Sequence, residues 1–366
     1  MSTEFNGQAA LNGLCPYFTM FPLDFPLAIL SKRASRGDRV LDPFCGRGTT
    51  NLAARIVGLP SLGIDSNPVA AAITAAKLVE TSVPEIMREL RSILAGPPPR
   101  MVPEGEFWDW AFHHDTLDAI CRLREAFLVN CQTEGRLALR GIILGALHGP
   151  QQKAFPGYLS NQSPRTYAPK PAYAVKYWRE RGERPQFVDI EAVIERRAKR
   201  YFSAVPAGVG QCRLADSRQE GSMQPEPRGA RFRWVITSPP YYGMRTYRPD
   251  QWLRNWFVGG PAAVDYTNMD QVVHSSPEAF AADLARVWSN AARVCTSDAR
   301  MVIRFGGISD RKASPLDIIK SSLSGSGWRI RTIIQAGTAA SGKRQADAFL
   351  RRRSKPIAEY DVWAVN

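Results

Sequence analysis

The sequence predicts an α/β fold built on a mostly parallel sheet, with an antiparallel hairpin at one edge and a mainly helical insertion. Three observations carry that expectation. Residues 38–82 read strand, glycine-bearing loop, helix, strand and helix again, which is a βαβ unit. The same alternation returns from Gln211 onward. The chain then closes on two apolar stretches, WRIRTIIQAG and AEYDVWAV, that read as an antiparallel pair.

Each element has a local cause. Val40 and Leu41 form a short apolar strand, residues 49–57 have helical composition, and residues 61–64 make a second strand ending at Asp65. Asn67 and Pro68 then start the next helix. Prolines at 97, 98 and 99 break the chain. Residues 111–206 follow as mostly helical sequence, interrupted by GPQQKAFPGYLSNQSPRTYAPKPAYAVKYWRERGERP, and this region reads as an insertion. After CRLADSR, Phe232, Trp234, Val235 and Ile236 read as a central strand, residues 277–294 as a helix and RMVIRFGG as a further strand. The expected division is 1–84, 85–206 and 207–366, with no internal repeat.

At 366 residues the chain can hold one large α/β domain with an insertion, or two smaller domains. Lys plus Arg number 48 against 34 Asp plus Glu, a net charge of +14. Such an excess points to a polyanionic partner, most often nucleic acid, with a membrane surface as the competing reading. No run of about 18 apolar residues occurs, which argues against a membrane protein. The opening MSTEFNGQAALNG lacks the layout of a secretory signal, so a cytoplasmic protein is expected. Cys15, Cys45, Cys121, Cys131, Cys212 and Cys295 are scattered without a CxxC pair, which suits reduced thiols rather than zinc or disulfides. The four histidines show no HExxH-like spacing, so no metal is expected.

Two stretches carry chemistry. VITSPPYYGMRTY sets two prolines and two tyrosines directly after a strand. A proline pair removes two backbone donors and fixes two φ angles, so it ends the ladder and frees local carbonyls for other partners. Tyr241, Tyr242 and Gly243 then supply flat rings and a permissive backbone, as a slot for a planar ring needs. An aromatic-proline turn capping a strand accounts for the same residues. The second stretch, DPFCGRGTT, follows a strand and opens a helix, so Gly46 and Gly48 let backbone amides approach a ligand. It is a partial dinucleotide fingerprint without a third glycine, and Arg47 is not the lysine of a phosphate-binding loop, which argues against ATP. Asp65 is the acidic residue a ribose would use for its hydroxyls. An ordinary βα turn with a helix cap is the plainer account of each.

Taken together, these residues resemble the S-adenosylmethionine-dependent amino-group DNA methyltransferases of the N4-cytosine/N6-adenine family. DPFCGRGTT is similar to the family's Phe-x-Gly-x-Gly cofactor loop, TSPPY to its catalytic motif in the serine form, and FTMFPLDFP to its N-terminal cofactor segment. The resemblance covers about two-thirds of the chain by motif and leaves the insertion outside it. It implies a Rossmann-like class I methyltransferase fold with a seven-stranded sheet. It also implies S-adenosyl-L-methionine held by Phe21, Pro22, Asp42, Pro43, Phe44, Gly46, Gly48, Thr49, Thr50, Asp65, Ser66, Asp216 and Ser217, with Asp216 near the adenine. Ser238, Pro239, Pro240 and Tyr241 are the implied catalytic residues. Segments 1–84 and 207–366 become the cofactor-binding and active-site halves of one catalytic domain, and 85–206 the target-recognition region.

That region interleaves Lys153, Arg165, Lys170, Lys176, Arg179, Arg181 and Arg184 with Phe155, Tyr158, Tyr167, Tyr173, Tyr177 and Trp178. Basic residues track phosphates while aromatics can meet bases, although a solvated loop with structural aromatics fits as well. Arg245 and the run GKRQADAFLRRRSKP are further candidates for contact with the DNA backbone. The expected partner is double-stranded DNA, in the cytoplasm at the nucleoid, and the resemblance allows a cognate restriction enzyme. In the family, serine before Pro-Pro-Tyr usually accompanies cytosine, which favours the N4 amine of a flipped-out cytosine over N6 of adenine. RNA as the substrate, a nucleic-acid binder that has lost catalysis, and a methyltransferase acting on a small amine or a protein stand as alternatives. The basic insertion argues against the last of these.

Overall fold

Among the described residues, apolar runs bounded by glycine, proline and polar side chains pair into one seven-stranded sheet. The strands are β1 (Val40–Asp42), β2 (Ser61–Asp65), β3 (Gly210–Leu214), β4 (Phe232–Thr237), β5 (Cys295–Gly306), β6 (Arg329–Thr338) and β7 (Ala358–Val365), in the order β3-β2-β1-β4-β5-β7-β6. The computed structural model describes residues 3–17, 21–149, 157–160, 168, 170–243, 247–264, 276–307, 313–338 and 358–366. The sheet lies in an α/β unit of Phe18–Thr74, Ala207–Arg245 and Asn268–Asn366. A second, helical unit comprises Met1–Tyr17, Ala75–Pro206 and Thr246–Thr267.

Strands β1 to β5 run parallel, and β7 is antiparallel to both β5 and β6. The expected closing hairpin is present, with its second strand inserted beside β5 so that β6 forms the edge. The order reverses between β1 and β4, the switch point beyond whose carboxyl strand ends open α/β sheets bind their ligands. This is the Rossmann-like methyltransferase arrangement that the motifs implied.

Both faces of the sheet are covered. Phe280, Leu284, Val287 and Trp288 of helix Pro277–Val294, with Ile318 and Leu323 of helix Pro315–Leu323, pack on Leu41, Val235, Met301 and Ile303. On the other face Ile29 and Leu30 of helix Asp24–Arg33, with Ala53 and Ala54 of helix Thr49–Ile56, pack on Val40, Trp234, Ile236 and Val302. Burying aliphatic or aromatic side chains of this kind contributes about 1.5–3 kcal/mol each, so the strand ends that carry the loops sit on a rigid base. The buried indoles of Trp288 and Trp328 donate to Ser322 Oγ and to the Trp288 carbonyl, each at 3.0 Å.

In the helical unit, helix Val83–Leu94 opens with a capping box between Ser82 and Glu85, while Thr133 and Asp189 cap helices Glu134–Ala146 and Ile190–Phe202. The stretch read as an interruption contains a helix, Pro171–Arg181, with a proline in its first turn and the left-handed Gly182 (φ 61°) ending it. Its many flanking prolines and glycines hid those stop and start signals. Buried Arg254 donates to the carbonyls of Pro16 and Leu144 and to Gln251 Oε1, joining the N-terminal segment to two others far along the chain. Among the described residues no helix is long and apolar enough to cross a membrane.

Candidate active site

Strand β1 ends on Asp42, which is 2% exposed, and β4 ends on Thr237, immediately before Ser238. Thr237 Oγ1 donates to Asp42 Oδ1 at 2.6 Å, and the Phe44 amide donates to the same oxygen at 3.1 Å. One buried carboxylate thus joins the root of the Ser-Pro-Pro-Tyr loop to the root of the glycine loop. Thr50 Oγ1 adds a second tie by donating to the Ile236 carbonyl at 3.1 Å. Burial pushes the Asp42 carboxyl up to about 7, against the lowering effect of the Thr237 and Phe44 hydrogen bonds. In the unfolded chain it would titrate near about 4, so between these values the folded state holds the proton more tightly and stability falls as pH rises. Thermal melts of the Asp42→Asn variant are expected to lose that part of the slope between roughly pH 4 and pH 7; parallel curves for wild type and variant would contradict the assignment.

The glycine loop is fixed from three sides. The Cys45 amide donates to the Ile64 carbonyl at 3.0 Å, the Gly48 amide closes a turn onto Cys45 at 2.7 Å, and Thr74 Oγ1 donates to the Gly46 carbonyl at 2.9 Å. Gly48 has φ 75°, and a Cβ there would stand 2.7 Å from the Thr74 side chain, so no other residue fits. Gly46 also has positive φ, but a Cβ on it would meet nothing within 4 Å, which leaves open space beside the loop. At the tip of β2 the Asp65 carboxylate accepts from the Gly46 amide at 2.9 Å and the Asn67 amide at 2.8 Å. A carboxylate has about four lone-pair sites, so two acceptor positions remain for a ligand. Burial pushes Asp65 up to about 6, with the Asn67 and Gly46 hydrogen bonds opposing it.

The remaining cofactor candidates fall into two groups. Pro43, Thr49 and Thr50 are buried around the loop, Ser66 is half-buried beside Asp65, and Phe44 packs edge-on against Trp288 with centroids 5.9 Å apart. Ser217 is a buried strut: its Oγ donates to the Pro43 carbonyl at 2.6 Å and its own carbonyl accepts from Asn290 at 3.1 Å. Asp216 is engaged by Arg218, whose Nε and Nη2 reach it at 3.0 and 2.7 Å while Nη1 reaches Asp283 at 2.8 Å. Burial pulls the Asp216 carboxyl up, but the Arg218 guanidinium and amide outweigh it and hold it below the usual range. Phe21 is buried edge-on against Phe25 at 5.3 Å, and exposed Pro22 accepts from the Phe25 amide as helix Asp24–Arg33 begins.

Beyond Thr237, Ser238 is half-buried, Pro239 buried, and Pro240 and Tyr241 partly exposed. The Tyr241 hydroxyl donates to Glu359 Oε1 at 2.6 Å, and its ring meets Phe305 edge-on at 5.5 Å. Tyr242 packs likewise on Phe280 at 5.6 Å. Thr237, Arg218, Thr74 and Glu359 were not singled out in the sequence. Thr237 could have been, since it directly precedes the motif; the others carry no local signal.

In the helical unit Lys170, Lys176 and Arg179 are exposed on or next to helix Pro171–Arg181. Lys176 lies 3.8 Å from Glu180, and Arg179 pairs with Glu106. Arg181 stacks over Tyr177, and Trp178 is core, packed on Phe107. Lys153, Arg165, Arg245, Phe155, Tyr167 and the basic run at residues 342–356 lie outside the described residues. Among the described residues, His113, His114 and Asp115 bring ligand-type atoms within 4.8 Å of one another, a cluster that the spacing of the histidines did not suggest. His113 Nδ1 accepts the Asp115 amide there as a helix cap.

Comparison with known proteins adds a family for part of the chain. The family model described as DNA methylase matches residues 3–76. A type II methyltransferase, M.BsoBI from Geobacillus stearothermophilus, is 54% identical over 35 residues, a stretch covering 10% of this chain and 7% of that relative. The resemblance to amino-group DNA methyltransferases is therefore borne out, by sequence, in its N-terminal segment. Among solved structures, the rRNA methyltransferase aviRa from Streptomyces viridochromogenes is 12% identical, with 96% of this chain and 87% of that one covered and a TM-score of 0.36. An S-adenosylmethionine-dependent methyltransferase from Methanosarcina mazei is 10% identical, with 95% and 99% covered and a TM-score of 0.36.

Proposed function

From the DNA methylase match over residues 3–76 as premise, we propose that this chain is an S-adenosylmethionine-dependent DNA methyltransferase acting on the N4 amine of a flipped-out cytosine. The observation that carries the reading is the Asp42 carboxylate, which joins the glycine loop and the Ser-Pro-Pro-Tyr loop at the switch point of the sheet. Cofactor and target sites built on one buried group are what group transfer between two ligands requires.

The residues fit the cofactor. The open side of Gly46 leaves room for it, the free acceptor positions of Asp65 suit ribose hydroxyls, and Phe44 offers an apolar wall. When bound, S-adenosylmethionine supplies an electrophilic sulfonium methyl group. An exocyclic amine is a poor nucleophile because its lone pair is delocalised into the ring. Ser238 Oγ and the Pro239 carbonyl accept its hydrogens, hold the nitrogen toward sp³ geometry and stabilise the positive charge that develops on it. Tyr241 stacks on the extruded base. The neutral Ser238 hydroxyl, in place of a carboxylate or amide, supports cytosine as the target.

Purified protein incubated with methyl-labelled cofactor is expected to label double-stranded DNA. Label appearing only in RNA or in protein would contradict the reading.

The exposed charges of Lys170, Lys176 and Arg179 support contact between helix Pro171–Arg181 and the DNA backbone. Each phosphate contact contributes roughly 0.9 to the slope of log affinity against log salt. Changing all three residues to glutamine is expected to weaken DNA binding and flatten that slope by about 2 to 3. Titrations at several salt concentrations that return the wild-type slope would move the interface elsewhere.

A further inference from the structure

We infer that Glu359 is a positioning residue for the Tyr241 ring, a role that rests on the proposed function of Tyr241 as the stacking platform. Strand β7 runs antiparallel to β5, so its first residues lie at the end of the sheet where β4 and β5 deliver their loops. Glu359 is the second residue of β7, and its backbone is held on both sides, in register with Gly306 of β5 and Gly337 of β6. From that fixed point its Oε1 accepts the Tyr241 hydroxyl at 2.6 Å, a charge-assisted length.

Gly306 makes the meeting sterically feasible. A Cβ there would stand 3.0 Å from Glu359 Cγ and 3.3 Å from Tyr241 Cε2 and Cζ, so a side chain at 306 would crowd both partners. Phe305 supports the ring at 5.5 Å with an interplanar angle of 77°. The backbone approaching Tyr241 is stiffened by Pro239 and Pro240. Hydroxyl, edge and main chain are therefore fixed by three separate elements, and the plane of the ring is set before a base arrives. Preorganisation of this kind removes the cost of ordering the platform during each capture.

The test is a cycle of Glu359→Ala, Tyr241→Phe and the double variant, with methyl transfer to unmethylated double-stranded DNA measured under kcat/KM conditions. Glu359→Ala is expected to lower kcat/KM for DNA about tenfold, the size of a lost hydrogen bond to a charged group. Cofactor affinity should stay at the wild-type value, while melting temperature should fall by no more than the loss of one hydrogen bond. Tyr241→Phe should cause a similar loss, and the double variant should be no slower than either single one, because both remove the same bond. Glu359→Gln, which keeps an acceptor, should recover part of the rate. Additive losses in the double variant would overturn the proposal. So would a wild-type rate for Glu359→Ala alongside a slow Tyr241→Ala, an outcome that leaves Tyr241 as the platform. A wild-type rate for Tyr241→Ala would instead remove the stacking role itself.

Discussion

Replacing Ser238 with alanine is expected to slow methyl transfer by roughly 10²-fold or more while cofactor affinity stays unchanged. In the proposed mechanism the oxygen removed is one of two acceptors for the amine, and the neighbouring hydroxyl is not placed to replace it, because Thr237 Oγ1 is committed to Asp42. Ser238 is half-buried directly after strand β4, so truncating it to alanine should leave the fold intact and remove only the proposed acceptor. Single-turnover rates with calorimetric cofactor titrations separate the two effects. A variant that transfers at the wild-type rate would remove Ser238 from the chemistry.

The second large effect is expected at Asp65. Loss of a charge-assisted hydrogen-bond pair to the ribose should cost on the order of 2 kcal/mol, about 30-fold in cofactor affinity. Asp65→Ala also releases the Gly46 and Asn67 amides, so the loop loses two supports as well as the ligand contact. The carboxyl is pushed up to about 6 by burial. The ionised form, which would accept the ribose hydroxyls, is therefore depleted as pH falls through that value, and wild-type affinity should weaken on the acid side. The alanine variant should lack that dependence. Calorimetry giving equal affinities for variant and wild type, or a wild-type affinity that does not change between roughly pH 7.5 and pH 5.5, would sink the assignment.

The parts of this site that were legible in the sequence are contiguous. Gly46 and Gly48 stand in one loop after a strand, and Ser238 to Tyr241 follow another, because both loops must leave the same edge of a sheet. The ties between loops were not legible, since Thr237 with Asp42 and Tyr241 with Glu359 join residues 195 and 118 positions apart. No period or spacing encodes such pairs. Nor did the sequence signal that the Asp216 carboxylate is gripped by Arg218.

The fold behaves similarly. Strands β1, β2 and β4 and helix Pro277–Val294 follow from apolar runs with clear stops. Strand β5 is longer than RMVIRFGG suggests: it starts at Cys295, directly after a helix, where the polar CTSDAR shows no alternation and pairing with Phe232 decides its conformation. Helix Pro171–Arg181 was hidden because proline and glycine read as breakers when here they cap.

Nucleoside mass spectrometry tests the central claim most directly. Unmethylated double-stranded DNA is incubated with the purified chain and methyl-labelled S-adenosylmethionine, then hydrolysed to nucleosides. The account predicts labelled N4-methyl-2′-deoxycytidine, absent from the Ser238→Ala sample at matched times. Labelled N6-methyl-2′-deoxyadenosine alone would contradict the choice of cytosine, and no labelled nucleoside at all would contradict methyl transfer to DNA.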